Sequence, residues 1–444
     1  MKNIRFLCMT TAALMLLVPS LLLAQNMLNQ NPLKEAKLAT PAQYKSLYHE
    51  VNQRLLKLEP QSIHNADGYI PYEYLIPAGY YQQMWDWDGF FIGSHLAAQS
   101  KEKAKYLKWW VLNFAKAVDD SGYVSGCITP KGPRPVFGKF AMKPFLSQGA
   151  LIAARRLADF KWIKKVYPKL KAVIAYRERT ELDIHYGLFY WDNAGESGVD
   201  NSVVLSNDPN DRGAIIAVDM NTWQLREYLS MVQLAAKLGY HKDVTYYKQK
   251  ALALKKAMMK TLWFPEDHSF WNIRRDDGKP IKRVSFQNFL PLFQGMLPQK
   301  AGREMINKYL WNPDYMLSNY GLRCLSKQDP DYNNKNIIVP YSNWRGPIWI
   351  NANYLYSIML VRYGYINRAR ELAYMIGKLI LNDVKANGSL HEDYNADTGA
   401  PLAPDAKQSG GTFKGFVGWD LLSADMLHGG ATGKWMMLTV DSNQ

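Results

Sequence analysis

Apolar residues recur at spacings of three and four along most of this chain, the period that lays them on one side of a helix. Residues 43–58 carry such a stripe. The same spacing predicts helices near 90–99, 102–118, 144–157, 162–180, 222–238, 242–260, 299–310, 346–363, 367–383 and 412–427. Thr222 is placed to cap the helix that carries Trp223, Leu225, Leu229, Val232 and Leu238, and Gly239 to end it. Some connections are as short as Gly239-Tyr240 or Tyr363-Gly364-Tyr365, whereas others are long and rich in Gly, Pro and aromatic residues. Helical hairpins stacked side by side produce that alternation, and a ring of them gathers the long loops around one mouth. Strand-like runs such as 269–274 belong to hairpins within those loops. The expected fold class is all-α.

The two ends depart from this pattern. Met1-Lys2-Asn3-Ile4-Arg5 precedes an apolar stretch from Phe6 to Leu23, followed by Ala24-Gln25, which reads as a signal peptide (residues 1–24) cleaved after Ala24. The competing reading, an uncleaved membrane anchor, needs about 20 apolar residues, and Pro19 interrupts this stretch. Export would place the mature chain outside the cytoplasm, secreted or periplasmic, without stable membrane insertion. Residues 25–42 are polar and contain Pro, so a loose N-terminal arm is expected there, and residues 43–444 read as one domain. No linker, charge block or fixed-period repeat divides them.

Composition narrows the function classes. The chain of 444 residues carries a net charge of +15, two units of it from Lys2 and Arg5. A basic balance suggests polyanions, yet Lys and Arg are spread along the helices, as in 161–171 and 255–260, with apolar residues between them. Solvated helix faces explain that spacing, and no nucleic acid is expected as a partner. Beyond Cys8 only Cys127 and Cys324 remain, so at most one disulfide can form, and no CxxC zinc pattern exists. HExxH, P-loop and GxSxG patterns are missing as well. Neither a metal nor a cofactor is expected.

What remains is a set of acids beside aromatic and turn-forming residues. Gly195–Ser202 (GESGVDNS) and His391–Gly399 (HEDYNADTG) each offer a carboxylate in a polar loop, Asp200 and Glu392. Hydrolysing a glycosidic bond asks for one protonated carboxylic acid and one carboxylate on opposite faces of the sugar, and two acids remote in sequence can supply them. Alternatively, such acids simply satisfy loop N–H groups. Gln83–Phe91 (QMWDWDGFF) brings Trp85, Asp86 and Asp88 to the start of a helix. Indole faces suit pyranose C–H faces and carboxylates suit sugar hydroxyls, although a helix cap over packed Trp rings would use the same residues. Asn343–Trp349 (NWRGPIW) and Ser147-Gln148 are weaker candidates. Arg345 there holds a carboxylate in place, binds substrate or caps loop carbonyls.

QMWDWDGFF, GESGVDNS, NWRGPIW and HEDYNADTG, in that order along the chain, resemble the motif series of glycoside hydrolase family 63 and its short bacterial relatives, the mannosylglycerate hydrolase-like enzymes. The likeness extends from about residue 70 to 428 and takes in Asp219 to Trp263 and the closing Phe416-Val417-Gly418-Trp419. It implies an (α/α)6 barrel with long loops and short β-hairpins at the active-site end, and hydrolysis of an α-linked sugar with inversion. It assigns Asp200 as general acid and Glu392 as general base, and places Trp85, Asp86, Asp88, Gln148, Trp344, Arg345 and Trp419 around the terminal sugar. Ser147-Gln148-Gly149-Ala150 departs from the relatives, in which prolines tend to follow the Gln. The extra N-terminal β-domain of the larger family members is also missing.

The function expected from sequence is thus a secreted, inverting, exo-acting α-glycosidase that removes a terminal glucosyl or mannosyl residue from a carbohydrate substrate. The rival within enzymes is a mannosylglycerate hydrolase. The rival from another class is a carbohydrate-binding protein that has lost catalysis. Glucose and mannose differ at one hydroxyl, so sugar identity, linkage, aglycone and oligomeric state stay open at this level.

Overall fold

The computed structural model describes residues 31–436, apart from 80, 136–139, 338–341, 404 and 409–410. The expected signal peptide and positions 25–30 of the expected arm lie outside the described residues. Among the described residues, twelve helices form two concentric rings. The inner ring is α3 (Asp86–Gln99), α5 (Leu146–Leu157), α7 (Val218–Leu238), α9 (Phe286–Gln294), α11 (Ile350–Arg362) and α13 (Leu422–Thr432). Each inner helix touches the next, and α13 returns to α3, which closes the circle. The outer ring is α4 (Ala104–Ala117), α6 (Ile163–Thr180), α8 (His241–Thr261), α10 (Gln299–Met305, prolonged by a wider turn over Ile306–Leu310), α12 (Ile366–Asn387) and α2 (Pro41–Leu58). This is the expected (α/α)6 barrel.

The two rings differ in the way their sequences demand. Every residue from Ile350 to Leu360 and from Val218 to Tyr228 is buried, because an inner helix has protein on all sides. Outer helices bury one stripe. In α8 only Tyr247, Ala251, Leu254 and Met258 are buried, and the Lys residues between them face outward. One contiguous hydrophobic core runs from Ala36 to Leu427.

All six inner helices begin at the same end of the barrel, so the loops that precede them converge there. Short strands stiffen these loops. Met84–Trp85 pairs with Cys127–Thr129, which pairs with Gly132–Pro133. A five-stranded sheet runs, in spatial order, Pro280–Ile281, Asn272–Arg274, Ile215–Ile216, Leu188–Trp191, Leu182–Asp183. The strand-like run at 269–274 is thus part of loop hairpins, as expected.

Several local expectations are corrected. Within the supposed loose arm, Pro32–Leu38 forms α1, because Asn31 caps it, Pro32 opens it and Glu35 reaches Lys378 at 3.2 Å. The helix carrying Trp223 starts at Val218, and Thr222 lies inside it with its hydroxyl donated to the Val218 carbonyl. Phe286, Phe289, Leu290 and Phe293 also fall at helical spacing, yet α9 is missing from the expected helices. Pro291 argues against a helix there, yet Ser285 and Asn288 form a reciprocal cap and all nine residues of α9 are buried. The expected helix over 412–427 is a strand (Gly411–Lys414), a 3-10 turn (Gly418–Leu421) and then α13, because Gly415 adopts positive φ and ends any helix. Cys127 and Cys324 are both buried free thiols.

Candidate active site

Ser342 joins the two loops singled out by their acids. Its backbone N–H donates to Oδ2 of Asp200 at 3.2 Å, and its hydroxyl donates to Oε1 of Glu392 at 3.2 Å. A serine N and Oγ lie about 3 to 4 Å apart, which holds the two carboxylate oxygens within about 10 Å of each other. Folding therefore brings both acids to one place.

Each acid is fixed by its own strapping. Asn201, next to Asp200, donates its amide to Asn343 Oδ1 (3.1 Å) and accepts the Trp344 N–H (2.7 Å), while Arg345 Nε donates to the Asn201 carbonyl (2.8 Å). Ser202 donates to Gln287 on α9 (2.6 Å), and Gln287 donates to Asp219 on α7 (2.8 Å). On the other side, Tyr394 exchanges both backbone hydrogen bonds with Ile348, and Leu390 bridges to Phe416, so Glu392 sits in a bend pinned on either side. His391 Nδ1 lies 2.8 Å from Asp383, which also accepts the Tyr394 hydroxyl at 2.8 Å. Tyr81 Oη donates to the same Oε1 of Glu392 at 3.1 Å.

A buried cation organises the other flank. Lys143, 3% exposed, places Nζ 3.2 Å from Asp86 Oδ1, and its backbone N–H donates to Oδ2 of the same residue at 2.6 Å. Asp88 also lies in the first turn of α3. Burial, reinforced by the negative charges of Asp86 and Asp200 and opposed by Lys143, pushes its carboxyl up to about 8. Burial pushes Asp200 up to about 6, against the pull of the Ser342 N–H and of Lys143. An acid poised at that value retains a proton over part of the near-neutral range, as proton donation to a leaving group requires. Behind Glu392, burial holds Asp393 and Asp420 well above the carboxylate range, with Glu392 adding to the rise in both.

The aromatic residues form a wall. Trp344 stacks on Trp349 with ring centres 3.9 Å apart, and Trp87 meets both Trp344 (6.0 Å) and Trp419 (6.3 Å) edge-on. Trp85 is half-buried and packs edge-on against Tyr81 at 6.4 Å. Of the three candidate tryptophans it is the most open, since Trp344 and Trp419 are only 3% and 5% exposed.

Two candidate binding residues are engaged by the scaffold. Gln148 has no exposed surface. Its amide donates to the carbonyls of Pro144 (2.5 Å) and Trp223 (3.4 Å) and its Oε1 accepts from Arg226 (2.7 Å), so it ties α5 to α7 inside the ring and offers nothing to a ligand. Asp86, also with no exposed surface, anchors Lys143 and accepts the Trp87 N–H at 2.6 Å. Arg345 braces the Asp200 loop through the Asn201 carbonyl, one of the three roles open to it from sequence. Three residues of the site are absent from the sequence candidates: Tyr81, Ser342 and Lys143. The first two stand within the aromatic runs 80–91 and 341–349, where no role is assigned to them. Lys143 is the single charge between Phe140 and Ala154, which was a signal, because a lone lysine in an apolar run must find a buried partner.

Among the described residues no group of three or more His, Cys, Asp or Glu side chains could hold a metal ion.

The profile of the mannosylglycerate hydrolase MGH1-like glycoside hydrolase domain matches residues 81–413. Mannosylglycerate hydrolase MGH1 of Selaginella moellendorffii is 25% identical over 399 residues, which cover 73% of this chain and 78% of that protein. A probable mannosyl-oligosaccharide glucosidase of Schizosaccharomyces pombe is 27% identical over 233 residues, 48% of this chain but 26% of that protein, so the chain spans about a quarter of that relative's length. The crystal structure of the family 63 mannosylglycerate hydrolase of Thermus thermophilus in complex with glucose superposes with a TM-score of 0.64 at 18% identity, over 85% of this chain and 99% of that one. That likeness concerns the fold. The profile match spans most of the chain and encloses both acid-bearing loops, and on that ground the protein belongs to the mannosylglycerate hydrolase MGH1-like glycoside hydrolases of family 63.

Proposed function

We propose that this chain is an inverting, exo-acting α-glycosidase that hydrolyses a terminal α-linked glucosyl or mannosyl residue, with Asp200 as general acid and Glu392 as general base. The observation that carries the reading is the double use of Ser342, which ties both carboxylates to one residue between them. In the proposed step Asp200 gives its proton to the glycosidic oxygen as the C–O bond breaks. Water attacks the anomeric carbon from the opposite face, and Glu392 takes the proton that this water loses. Carboxyl groups about 6.5 to 9.5 Å apart leave room for that water, a spacing the Ser342 bridge permits. Tyr81 and Ser342 both donate to Oε1 of Glu392, a pattern suited to an acceptor-only carboxylate, and they fix the direction from which it faces the water. The roles of Trp85 as a platform for the sugar face and of Asp88 as a hydrogen-bonding partner for hydroxyls belong to the same proposal, as does the place of Trp344 and Trp419 in the wall behind them.

A second reading, a hydrolase of mannosylglycerate, is favoured by the relative of that name whose length this chain covers to 78%. The leader-like residues 1–24 support export, and a secreted or periplasmic enzyme meets scavenged oligosaccharides more often than a stored cytoplasmic solute, which is why the oligosaccharide reading comes first. No described helix is long and apolar enough to cross a membrane.

The test is a panel of α-glucosides, α-mannosides and mannosylglycerate, with the anomer of the first-formed sugar followed by proton NMR. The β-anomer released from an α-linked substrate is the expected outcome. Release of the α-anomer, or turnover of Glu392→Gln within a few-fold of the parent, defeats the assignment. Binding of sugar without any hydrolysis across the panel would favour the non-catalytic alternative.

A further inference from the structure

On the outer wall, away from the acids, two helices turn unusual faces toward each other. On α4, Lys108, Trp109 and Lys116 fall on one side at helical spacing, and at the start of α6 Trp162, Lys165 and Lys169 do the same. Between them, closed at one end by Tyr72, lies a cavity of about 590 Å³. Four lysines and three aromatic residues line it, and among the described residues no acidic side chain does.

A merely solvated helix face would keep its aromatics in the core and its lysines in water. Here both stay at the surface. Tyr72 is 38% exposed, Trp109 and Trp162 are half-buried, and the Trp162 indole N–H has no hydrogen-bond partner. Tyr72 and Trp109 lie nearly parallel, at 11° with ring centres 6.3 Å apart, as a stacked pair at the mouth of the groove. Lys108 Nζ stands 5.4 Å from the Trp162 ring centre. The nearest acids are spread along the margin: Asp159 is 3.9 Å from Lys108, and Glu73 is 3.8 Å from Lys105. Lysines that look evenly dispersed in the sequence are thus gathered by the fold around one aromatic floor.

We infer that this groove is a second carbohydrate site, separate from the acids, which binds an acidic oligosaccharide, a chain of pyranose rings bearing carboxylate or sulfate groups. The flat rings suit the C–H faces of the pyranoses, the lysines suit the anions, and the volume falls within the range of about 300 to 1,000 Å³ usual for ligand sites. Lys116 Nζ donates to the Tyr69 carbonyl (2.6 Å) and Lys169 Nζ to the Val118 carbonyl (2.9 Å), which leaves each ammonium further donors for an anion; a neutral glycan would not use that charge, and a compact anion such as phosphate would leave the aromatic floor unused.

The experiment is affinity electrophoresis and calorimetry of the full chain with polygalacturonate, dextran sulfate, neutral dextran and a DNA duplex. The two acidic polysaccharides separate a carboxylate from a sulfate preference. The expected result is binding of at least one of them, weakened by salt and absent with neutral dextran. Trp109→Ala and Tyr72→Ala should each weaken it about fivefold, and Lys165→Glu with Lys169→Glu should abolish it. Melting curves confirm that each variant folds, and hydrolysis of a small glycoside should stay unchanged, since none of these residues touches the acids. Failure of both acidic polysaccharides to bind overturns the inference. So does DNA binding as tight as polysaccharide binding with no loss in the Trp109 and Tyr72 variants, because that outcome marks a generic cationic surface.

Discussion

Replacing Asp200 by Asn should cripple turnover and stabilise the protein at the same time. Its carboxyl rises from 3.8 to about 6 in the folded chain because burial disfavours the charge. Between those values the folded state holds a proton that the unfolded state has released, so stability falls as pH climbs through that window and stays lower above it. A shift of about two units corresponds to about 3 kcal/mol, an upper figure because Asp200 keeps one side partly open to solvent. Asn cannot ionise, and its side-chain oxygen can still accept the Ser342 N–H. The variant should therefore exceed the parent by up to about 3 kcal/mol at pH 7.5, with the gain shrinking to nothing near pH 4. Urea unfolding at pH 4, 5, 6 and 7.5 measures it. In parallel kcat should drop by about 100-fold or more, and the parent's own kcat/KM should decline above pH 6 as the acid loses its proton. A variant no more stable than the parent at pH 7.5, or a gain that ignores pH, would refute the premise that burial of this charge is what sets its proton affinity.

Three other substitutions probe the supporting contacts. Ser342→Ala removes the hydroxyl that reaches Glu392 but keeps the N–H on Asp200, so kcat should fall about tenfold with little change in melting, a loss of about 1.5 kcal/mol for a bond to a charged group; unchanged kcat would deny the residue a positioning role. Lys143→Met strips Asp86 of its buried counter-charge, which should cost about 3 to 5 kcal/mol in unfolding experiments. Because Lys143 lowers the proton affinity of Asp88 and Asp200, whatever activity remains should persist to higher pH. Gly198 adopts φ 81°, and an added Cβ would lie 2.7 Å from the Lys143 side chain; Gly198→Ala should therefore destabilise by about 1 to 3 kcal/mol and displace the Asp200 loop, read as a loss in both melting temperature and kcat.

The barrel was legible because burial on one side or on all sides leaves a periodic trace, and ten of the helices announced themselves that way. α9 did not, since Pro291 inside a short segment argues against a helix and masks the helical spacing of Phe286, Phe289, Leu290 and Phe293. The two acids were legible as loop carboxylates in a particular company of residues. Their bridge was not: Ser342 and Tyr81 matter through contacts across the ring that no local pattern encodes. Asp86 and Gln148 show the reverse case. Their types suit sugar binding, and only the burial of their polar atoms reveals that they serve the scaffold.

The circle of helices has a seam, where α2 lies against α13. These partners lie far apart in the polypeptide, so a long loop must close to unite them, and contacts of such sequence separation form slowly. During synthesis the apolar stripe Leu47, Val51 and Leu55 therefore waits, uncovered, until α12 and α13, which both pack on α2, have emerged. A nascent chain of this architecture carries an adhesive early helix through much of its synthesis, a hazard that a circular permutant joining the two ends and opening another hairpin would relocate rather than remove.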